Sequence, residues 1–160
     1  MKSRENIYKI TAIVLMIDQF IKLLINKNLP LGHSIKIIPN FFSIFYLKNT
    51  GAAFSILENS TPILVIISVI IIVLLDRSIK KTSKFTALEE ISLGLIMGGI
   101  FGNLIDRIIH HGVIDYLSFK IFSYSFPVFN LADISIVVGV GLYFIALIKE
   151  KQRIRSKYHE

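Results

Sequence analysis

Three clusters of polar side chains interrupt an otherwise apolar stretch of this chain, residues 98–133. They are Asn103-Leu-Ile-Asp-Arg107, then Asp115, then Asn130-Leu-Ala-Asp133. A charge in or beside an apolar span is costly, so each cluster is a candidate functional site. Two carboxylates that share a site cannot both ionise easily, so one of them keeps its proton. Asp115 and Asp133 could therefore hydrolyse a peptide bond, one as general base toward water and the other as general acid.

The same two aspartates also admit a purely structural interpretation. Asp115 could be an ordinary loop residue, and Asp133, near a predicted helix start, is well placed to cap that helix. Other chemistries have less support. The chain has no cysteine, its four histidines form no His-Glu-x-x-His pattern, and no serine sits in a recognisable nucleophile motif. We expect neither a metal nor a cofactor.

Composition indicates a membrane protein. The chain has 160 residues, 53% of them hydrophobic, with a mean hydropathy of +0.65. The apolar residues are bunched into runs long enough for helices that cross a bilayer, which need about 20 residues each. We expect one integral membrane domain. The net charge of +7 comes from residues at span ends, where topology requires them, so nucleic-acid binding is not expected.

The apolar runs predict a membrane all-α bundle of four transmembrane helices, at about residues 7–26, 62–79, 88–109 and 129–148. Residues 28–54 differ, because they contain Pro30, Gly32, Pro39 and Gly51 among short apolar alternations. This β-rich insert predicts short strands lying on the membrane surface.

Two spacings predict contacts inside the bundle. Asp18 and Lys22 are four residues apart, so they share one helix face and can form an ion pair. Gly94, Gly98 and Gly102 also recur every four residues, which predicts close packing of the third helix against another helix.

The Lys and Arg residues predict the orientation. Three lie in the N-terminal segment, four in the loop between the second and third spans, and five in the C-terminal tail, against six elsewhere. Because cytoplasmic loops are enriched in these residues, both termini should be cytoplasmic and the insert outside. The unusual polar residues then all lie near the outer interface: Asp18, Lys22, Asn49, Asn103, Asp106, Arg107, Asp115, Asn130 and Asp133.

Five motifs in this order resemble those of the bacterial lipoprotein signal peptidases (type II, prolipoprotein signal peptidases). They are Asp18-Gln-x-x-Lys22, Asn49-Thr-Gly-Ala-Ala-Phe54, Gly99-x-x-Gly-Asn-Leu-Ile-Asp-Arg107, Val113-Ile-Asp115 and Phe129-Asn-Leu-Ala-Asp133. One departure is Tyr116, where the family pattern has Phe. The resemblance implies four transmembrane helices, a small extracytoplasmic β-cradle and aspartic peptidase chemistry in the cytoplasmic membrane of a bacterium.

The resemblance also implies roles for single residues. Asp115 and Asp133 are the implied catalytic pair, and the implied substrate is a lipoprotein precursor cut before a diacylglyceryl-modified cysteine. Substrate-binding or orienting roles fall to Asn49, Gly51, Asn103, Arg107 and Asn130. Structural roles fall to Asp18, Lys22 and Asp106, the last as a partner of Arg107. Membrane lipids are the other expected partners, and we expect a monomer.

Two other classes of function use the same residues differently. A small transporter or proton-relay subunit could pass protons along the carboxylates, but the polar residues cluster at one depth and no inverted repeat is visible. An assembly factor held together by its glycine faces would leave the aspartates unexplained.

Overall fold

The computed structural model describes residues 2–51 and 60–157, and the side chains of residues 4–51 and 60–156. The described helices are α1 (Lys2–Asn28), α2 (Thr61–Lys81), α3 (Ala87–His110) and α4 (Leu131–Lys157), and the strands are β1 (Ser34–Ile38), β2 (Phe42–Asn49), β3 (Val113–Ile121) and β4 (Tyr124–Ser125). Each predicted span corresponds to a helix, which is longer than predicted. Ala52, Ala53 and Phe54 of the predicted insert lie outside the described residues.

The helix ends follow from local sequence. Pro62 lies in the first turn of α2, where its missing N–H costs nothing. Thr86 and Glu89 form a capping box before α3, in which the Thr86 N–H donates to Glu89 Oε2 at 2.7 Å and the Glu89 N–H donates to Thr86 Oγ1 at 3.3 Å. His111, with a φ of 56°, ends α3 in the left-handed conformation. The chain can then turn directly into β3.

Helix α3 is the centre of the bundle, and it packs against α1, α2 and α4. Gly94, Gly98 and Gly102 face α1, as their spacing predicts. A methyl group at Gly94 would lie 2.6 Å from Cβ of Ile10, and one at Gly98 would lie 2.6 Å from Cβ of Val14. Such distances are far below van der Waals contact, so only glycine allows the two helices to approach this closely.

Three of the described helices, α2, α3 and α4, are long and apolar enough to cross a membrane. Helix α1 is not among them, although the sequence predicted a span there. The reason is that α1 turns polar side chains inward, including the buried Thr11, Asp18 and Lys22. Its outward side is apolar, with exposed Ile13, Met16, Ile17, Phe20, Leu23 and Leu24.

The strands form one antiparallel sheet in the order β1-β2-β3-β4. The sequence predicted only the part of this sheet that lies in the insert, and it placed Asp115 in a loop. That placement was wrong, because Asp115 lies in β3, opposite Leu47 of β2. The sheet packs on the bundle through the buried side chains of Leu29, Tyr46, Ile114 and Tyr116.

A short bridge joins the sheet to the start of α4. The Leu117 N–H donates to the Phe129 carbonyl at 2.8 Å, and the Phe129 N–H donates back to the Leu117 carbonyl at 3.2 Å. Phe129 therefore continues the sheet for one residue before α4 begins at Leu131. This bridge brings the first turn of α4 beside the start of β3, where Asp115 lies.

Candidate active site

Asp115 lies in the buried half of β3, and only 1% of its surface is exposed. Two amide groups donate to its carboxylate. The Asn49 Nδ2 group donates to Oδ2 at 3.0 Å, and the Asn130 Nδ2 group donates to Oδ1 at 2.6 Å. Adjacent strands supply Asn49 and Asp115, so the sheet itself fixes their separation.

Asp133 lies in the first turn of α4, where it forms a reciprocal cap with Asn130. The Asp133 N–H donates to Asn130 Oδ1 at 3.0 Å, and the Asn130 N–H donates to Asp133 Oδ2 at 3.2 Å. The second oxygen, Oδ1, accepts from Asn103 Nδ2 at 2.7 Å. A capping role was one of the two interpretations of Asp133. The cap fixes one oxygen and leaves the carboxylate half-buried, so capping and chemistry are compatible.

Asn130 connects the two aspartates. Its side chain is fully buried, and its Nδ2 group donates to Asp115 while its backbone N–H donates to Asp133. One residue therefore holds both carboxylates, which we call the aspartate pair. No buried side-chain nitrogen or oxygen among the described residues lacks a hydrogen-bond partner.

The surroundings of Asp115 raise the pKa of its carboxyl group from 3.8 to about 7. Burial is the largest cause, and the nearby charge of Asp133 acts in the same direction. The hydrogen bonds from Asn49 and Asn130 and the charge of Lys22 oppose the rise without cancelling it. Asp115 can therefore still carry a proton near neutral pH, as a general acid requires.

A cavity of about 730 Å³ opens beside the aspartate pair. Its polar wall contains both aspartates with Asn49, Asn103 and Arg107. The apolar part of the lining comes mainly from the segment before α4 and from α4 itself: Phe126, Pro127, Val128, Phe129, Ile134, Ile136, Val137 and Val138. The site thus combines two carboxylates with a large apolar surface.

Arg107 and Gly51 meet at the edge of this cavity. The guanidinium donates to the Asn103 carbonyl at 3.4 Å and to the Gly51 carbonyl at 3.5 Å, both long contacts. The Gly51 N–H donates to Asn49 Oδ1 at 2.9 Å, which orients the Asn49 amide toward Asp115. Arg107 therefore links α3 to the segment that follows β2.

A second group of charges lies beside the aspartate pair, and we call it the ion cluster: Asp18, Lys22 and Asp106. The predicted ion pair is present, with Lys22 Nζ at 2.8 Å from Asp18 Oδ2. The same ammonium lies 2.9 Å from Asp106 Oδ2. The prediction that Asp106 partners Arg107 was wrong, since its partners are Lys22, Gln19 and the Ile114 N–H.

The residues that the sequence singled out are thus brought together at the sheet end of the bundle. Asn49, Asn103, Arg107, Asp115, Asn130 and Asp133 form one connected network, and the ion cluster adjoins it through Asn103. Among the described residues, no group of three His, Cys, Asp or Glu side chains could hold a metal ion.

Residues 10–149 match the family model of signal peptidase (SPase) II. The chain belongs to the signal peptidase II family. A solved structure described as "Bacterial membrane enzyme structure by the in meso method at 2.3 A resolution" is 35% identical, with a TM-score of 0.82, over 90% of this chain and 88% of the other. A second, with the same wording at 1.9 A resolution, is 36% identical, with a TM-score of 0.78, over 88% and 90%.

Membership of the signal peptidase II family makes the chain an aspartic-type signal peptidase, a hydrolase that removes signal peptides from lipoprotein precursors. That chemistry requires two carboxylates with access to a substrate. Among the described aspartates, Asp115 and Asp133 line the cavity, whereas Asp18 and Asp106 do not.

Two residues of this signal peptidase II site were missed as site residues. Gln19 donates to Gly102, Asp18 and Asp106 and so joins α1 to α3. The Tyr116 hydroxyl accepts from the Leu131 N–H at 3.3 Å, at the start of α4. Gln19 belongs to the motif Asp18-Gln-x-x-Lys22, and Tyr116 departs from the family pattern, so the sequence contained a signal for each residue.

Proposed function

We propose that Asp115 and Asp133 are the catalytic pair, and that they cut the peptide bond before a diacylglyceryl-modified cysteine. The observation that carries the proposal is the pair of carboxylates held by Asn130 on the wall of one large cavity. Family membership supplies the class of reaction. The apolar lining of the same cavity supports a substrate that carries acyl chains.

The two aspartates have different surroundings, and these assign their roles. Asp115 is buried and has a raised pKa, so it is the general acid. Asp133 is half-buried in the first turn of α4, where the helix dipole favours a negative charge, so it is the general base. Its two oxygens accept hydrogen bonds from Asn103 and from the Asn130 N–H, which hold the carboxylate in place at the cavity wall.

The reaction then proceeds through a tetrahedral intermediate. Asp133 takes a proton from water as the water oxygen bonds to the carbonyl carbon, and Asp115 donates its proton to the carbonyl oxygen. When the C–N bond breaks, the amine takes the proton held by Asp133 and Asp115 recovers its proton from a hydroxyl of the intermediate. Both carboxyl groups return to their starting states, so no cofactor is consumed.

The remaining polar residues position this pair. Asn49, Asn103 and Asn130 orient the carboxylates through their amides. Arg107 and Gly51 lie where the substrate backbone would pass along the cavity wall, and Arg107 has donors left to bind a substrate carbonyl.

We further propose that all four helices cross the cytoplasmic membrane of a bacterium, with both termini in the cytoplasm, and that the protein acts as a monomer. Helix α1 is included because its polar side chains are enclosed by the bundle while its outward side is apolar. Reporter fusions after Lys81 or Glu160 should then give a cytoplasmic signal, and a fusion after Glu58 an external one. A cytoplasmic signal after Glu58 would contradict this orientation.

The direct test of function is cleavage by the purified protein in proteoliposomes. A diacylglyceryl-modified precursor is compared with the same precursor bearing an unmodified cysteine, and the new N-terminus is identified by mass spectrometry. We expect cleavage of the modified precursor alone, before its cysteine. Equal cleavage of both precursors would refute the lipid requirement, and ion flux without cleavage would favour a transporter.

A further inference from the structure

Lys22 is a fully buried cation that the proposed reaction does not use. Only 1% of its surface is exposed, and it lies outside the described lining of the cavity. Its ammonium group has three acceptors: Asp18 Oδ2 at 2.8 Å, Asp106 Oδ2 at 2.9 Å and Asn103 Oδ1 at 3.0 Å. The three donors of the ammonium are therefore matched by three oxygens on two helices.

The contact between Lys22 and Asn103 indicates how the Asn103 amide is oriented. An ammonium group can only donate, so the atom of Asn103 that faces Lys22 must be the oxygen. The Asn103 Nδ2 group then faces the other way, and it donates to Asp133 Oδ1 at 2.7 Å. Lys22 thus favours the orientation in which the Nδ2 end of the Asn103 amide faces Asp133.

Asn130 supports the same orientation of the Asn103 amide through a longer contact. Its Nδ2 group donates to Asn103 Oδ1 at 3.2 Å, a longer contact than the one from Lys22. The Asn130 amide is itself oriented, because its Oδ1 atom accepts from the Asp133 N–H at 3.0 Å, so both donors favour the same orientation of Asn103. Lys22 makes the shorter of the two contacts and is the charged donor, so it contributes more to the polarity of Asn103.

We propose that Lys22 is a positioning residue for the reaction, acting through the Asn103 amide to hold the Asp133 side chain in place as the general base. This inference rests on the proposed role of Asp133. Without the ammonium group, only the longer contact from Asn130 opposes a rotation of the Asn103 amide that turns its oxygen toward the Asp133 carboxylate. The base then loses a hydrogen bond and meets a repulsive dipole.

The first variant is Lys22→Met, which keeps the length of the side chain and removes its donors. We expect kcat to fall about tenfold to hundredfold, the range for a lost hydrogen bond to a charged group. KM should stay within about twofold, because Lys22 lies outside the described cavity wall. The control is Lys80→Met, which breaks the exposed ion pair with Asp76, also four residues apart at 2.7 Å, and should leave kcat unchanged.

A second variant separates positioning from folding. Lys22→Met leaves two buried carboxylates without their cation, so the protein loses stability. The double variant Lys22→Met with Asp106→Asn returns the ion cluster to its original net charge, provided that both carboxylates are ionised. We expect its melting temperature to recover toward that of the parent, while kcat stays low. Recovery of kcat together with stability would overturn the proposal, because the role of Lys22 would then be charge balance.

A double-mutant cycle tests the route through Asn103. If Lys22 acts through that amide, Lys22→Met should cause no further loss of kcat in an Asn103→Ala background. Losses that multiply would overturn the proposal, as would a kcat for folded Lys22→Met within twofold of the parent. Asp133→Asn is measured alongside. If Asp133→Asn cleaves normally, the proposed function fails; if it is inactive while Lys22→Met is normal, only the role of Lys22 fails.

Discussion

Two pairs of carboxylates lie side by side at the sheet end of the bundle, and they differ in what balances their charge. In the ion cluster, Asp18 and Asp106 share one ammonium group and are enclosed, with 0% and 1% of their surfaces exposed. In the aspartate pair, the hydrogen-bond donors to Asp115 and Asp133 among the described residues are neutral amide groups and a backbone N–H, and both aspartates line the cavity.

This difference separates a structural carboxylate from a chemically useful one. In the ion cluster, each carboxylate is bound to the Lys22 ammonium at hydrogen-bond distance and lies outside the described lining of the cavity, so it has no access to a substrate. Amide donors orient a carboxylate without supplying a full charge, so its pKa can rise with burial, as it does for Asp115. The residue type is the same in both pairs, and the neighbours decide the role.

The largest effects should come from the aspartate pair. Asp115→Asn and Asp133→Asn keep the size of the side chain but remove the exchangeable proton, so each should lower single-turnover cleavage at least about a thousandfold. The double variant should be no worse than either single variant, because the two residues act on one water and one carbonyl. Substantial cleavage by either folded single variant would refute the proposal that Asp115 and Asp133 are the catalytic pair.

Asp18→Asn should have the opposite profile. Asp18 accepts from Lys22 and from the Ala132 N–H, so the variant places an amide where the ion cluster needs an acceptor. Breaking a buried ion pair costs about 3 to 5 kcal/mol of unfolding free energy. The folded fraction should cleave within about tenfold of the parent. A stable but inactive Asp18→Asn variant would contradict the structural role of the ion cluster.

The pH dependence should report the proton on Asp115. Because the pKa of this carboxyl group is raised to about 7, the neutral acid is present below that pH and is lost above it. We expect kcat/KM to fall about tenfold per pH unit above pH 7. A rate that stays level to pH 9 would mean that Asp115 is not the acid.

The same raised pKa gives a stability control with a definite sign. The folded state binds the Asp115 proton more tightly than the unfolded chain, so this group's stabilising contribution is complete below pH 3.8 and is lost as the pH rises toward about 7. The melting temperature of Asp115→Asn should therefore fall less than that of the parent protein as the pH rises from 3.8 toward about 7.

Arg107→Lys should produce a smaller loss on the side of the aspartate pair. Lysine keeps the charge but cannot reach the Asn103 and Gly51 carbonyls together, as the forked guanidinium does. We expect kcat/KM to fall about tenfold. Near-normal turnover would reduce Arg107 to an interfacial anchor.

Tyr116→Phe should give the smallest effect. The variant removes the acceptor for the Leu131 N–H at the first turn of α4, and the expected loss is about 0.5 to 1.5 kcal/mol of unfolding free energy. Tyr124→Phe is the control, because that ring is 60% exposed. Equal melting temperatures for the two variants would mean that the Tyr116 hydroxyl adds nothing to the cap.

Much of the fold and of the candidate site can be predicted from the sequence, because apolar runs and the order of motifs are local signals. The four helices follow from the lengths of the apolar runs, and the close packing of the glycines follows from their spacing of four residues. Strand β3 was missed although Val113-Ile-Asp-Tyr-Leu-Ser-Phe-Lys-Ile121 is rich in β-branched and aromatic residues. Its pairing with β2 depends on residues more than sixty positions away, and no local pattern specifies that register.

The partner of Asp106 was mistaken for a geometric reason. Adjacent residues on a helix point about 100° apart, so Asp106 and Arg107 cannot face one another across the same surface. Asp106 instead faces α1, where Lys22 and Gln19 meet it. The helical wheel excluded the predicted pair, whereas the true partner depended on how α1 and α3 dock.

The inward polar side of α1 has a consequence for the order of synthesis. Helix α1 is made first, but its acceptors and donors on α3 and α4 follow 87 and 114 residues later, as for Gln19 with Asp106 and Asp18 with Ala132. At the translation rates of about 5 to 20 residues per second, those partners arrive about 4 to 23 s after it. Asp18 and Lys22, one turn apart, can neutralise each other throughout that interval, so α1 carries its own temporary counter-ion until the rest of the bundle exists.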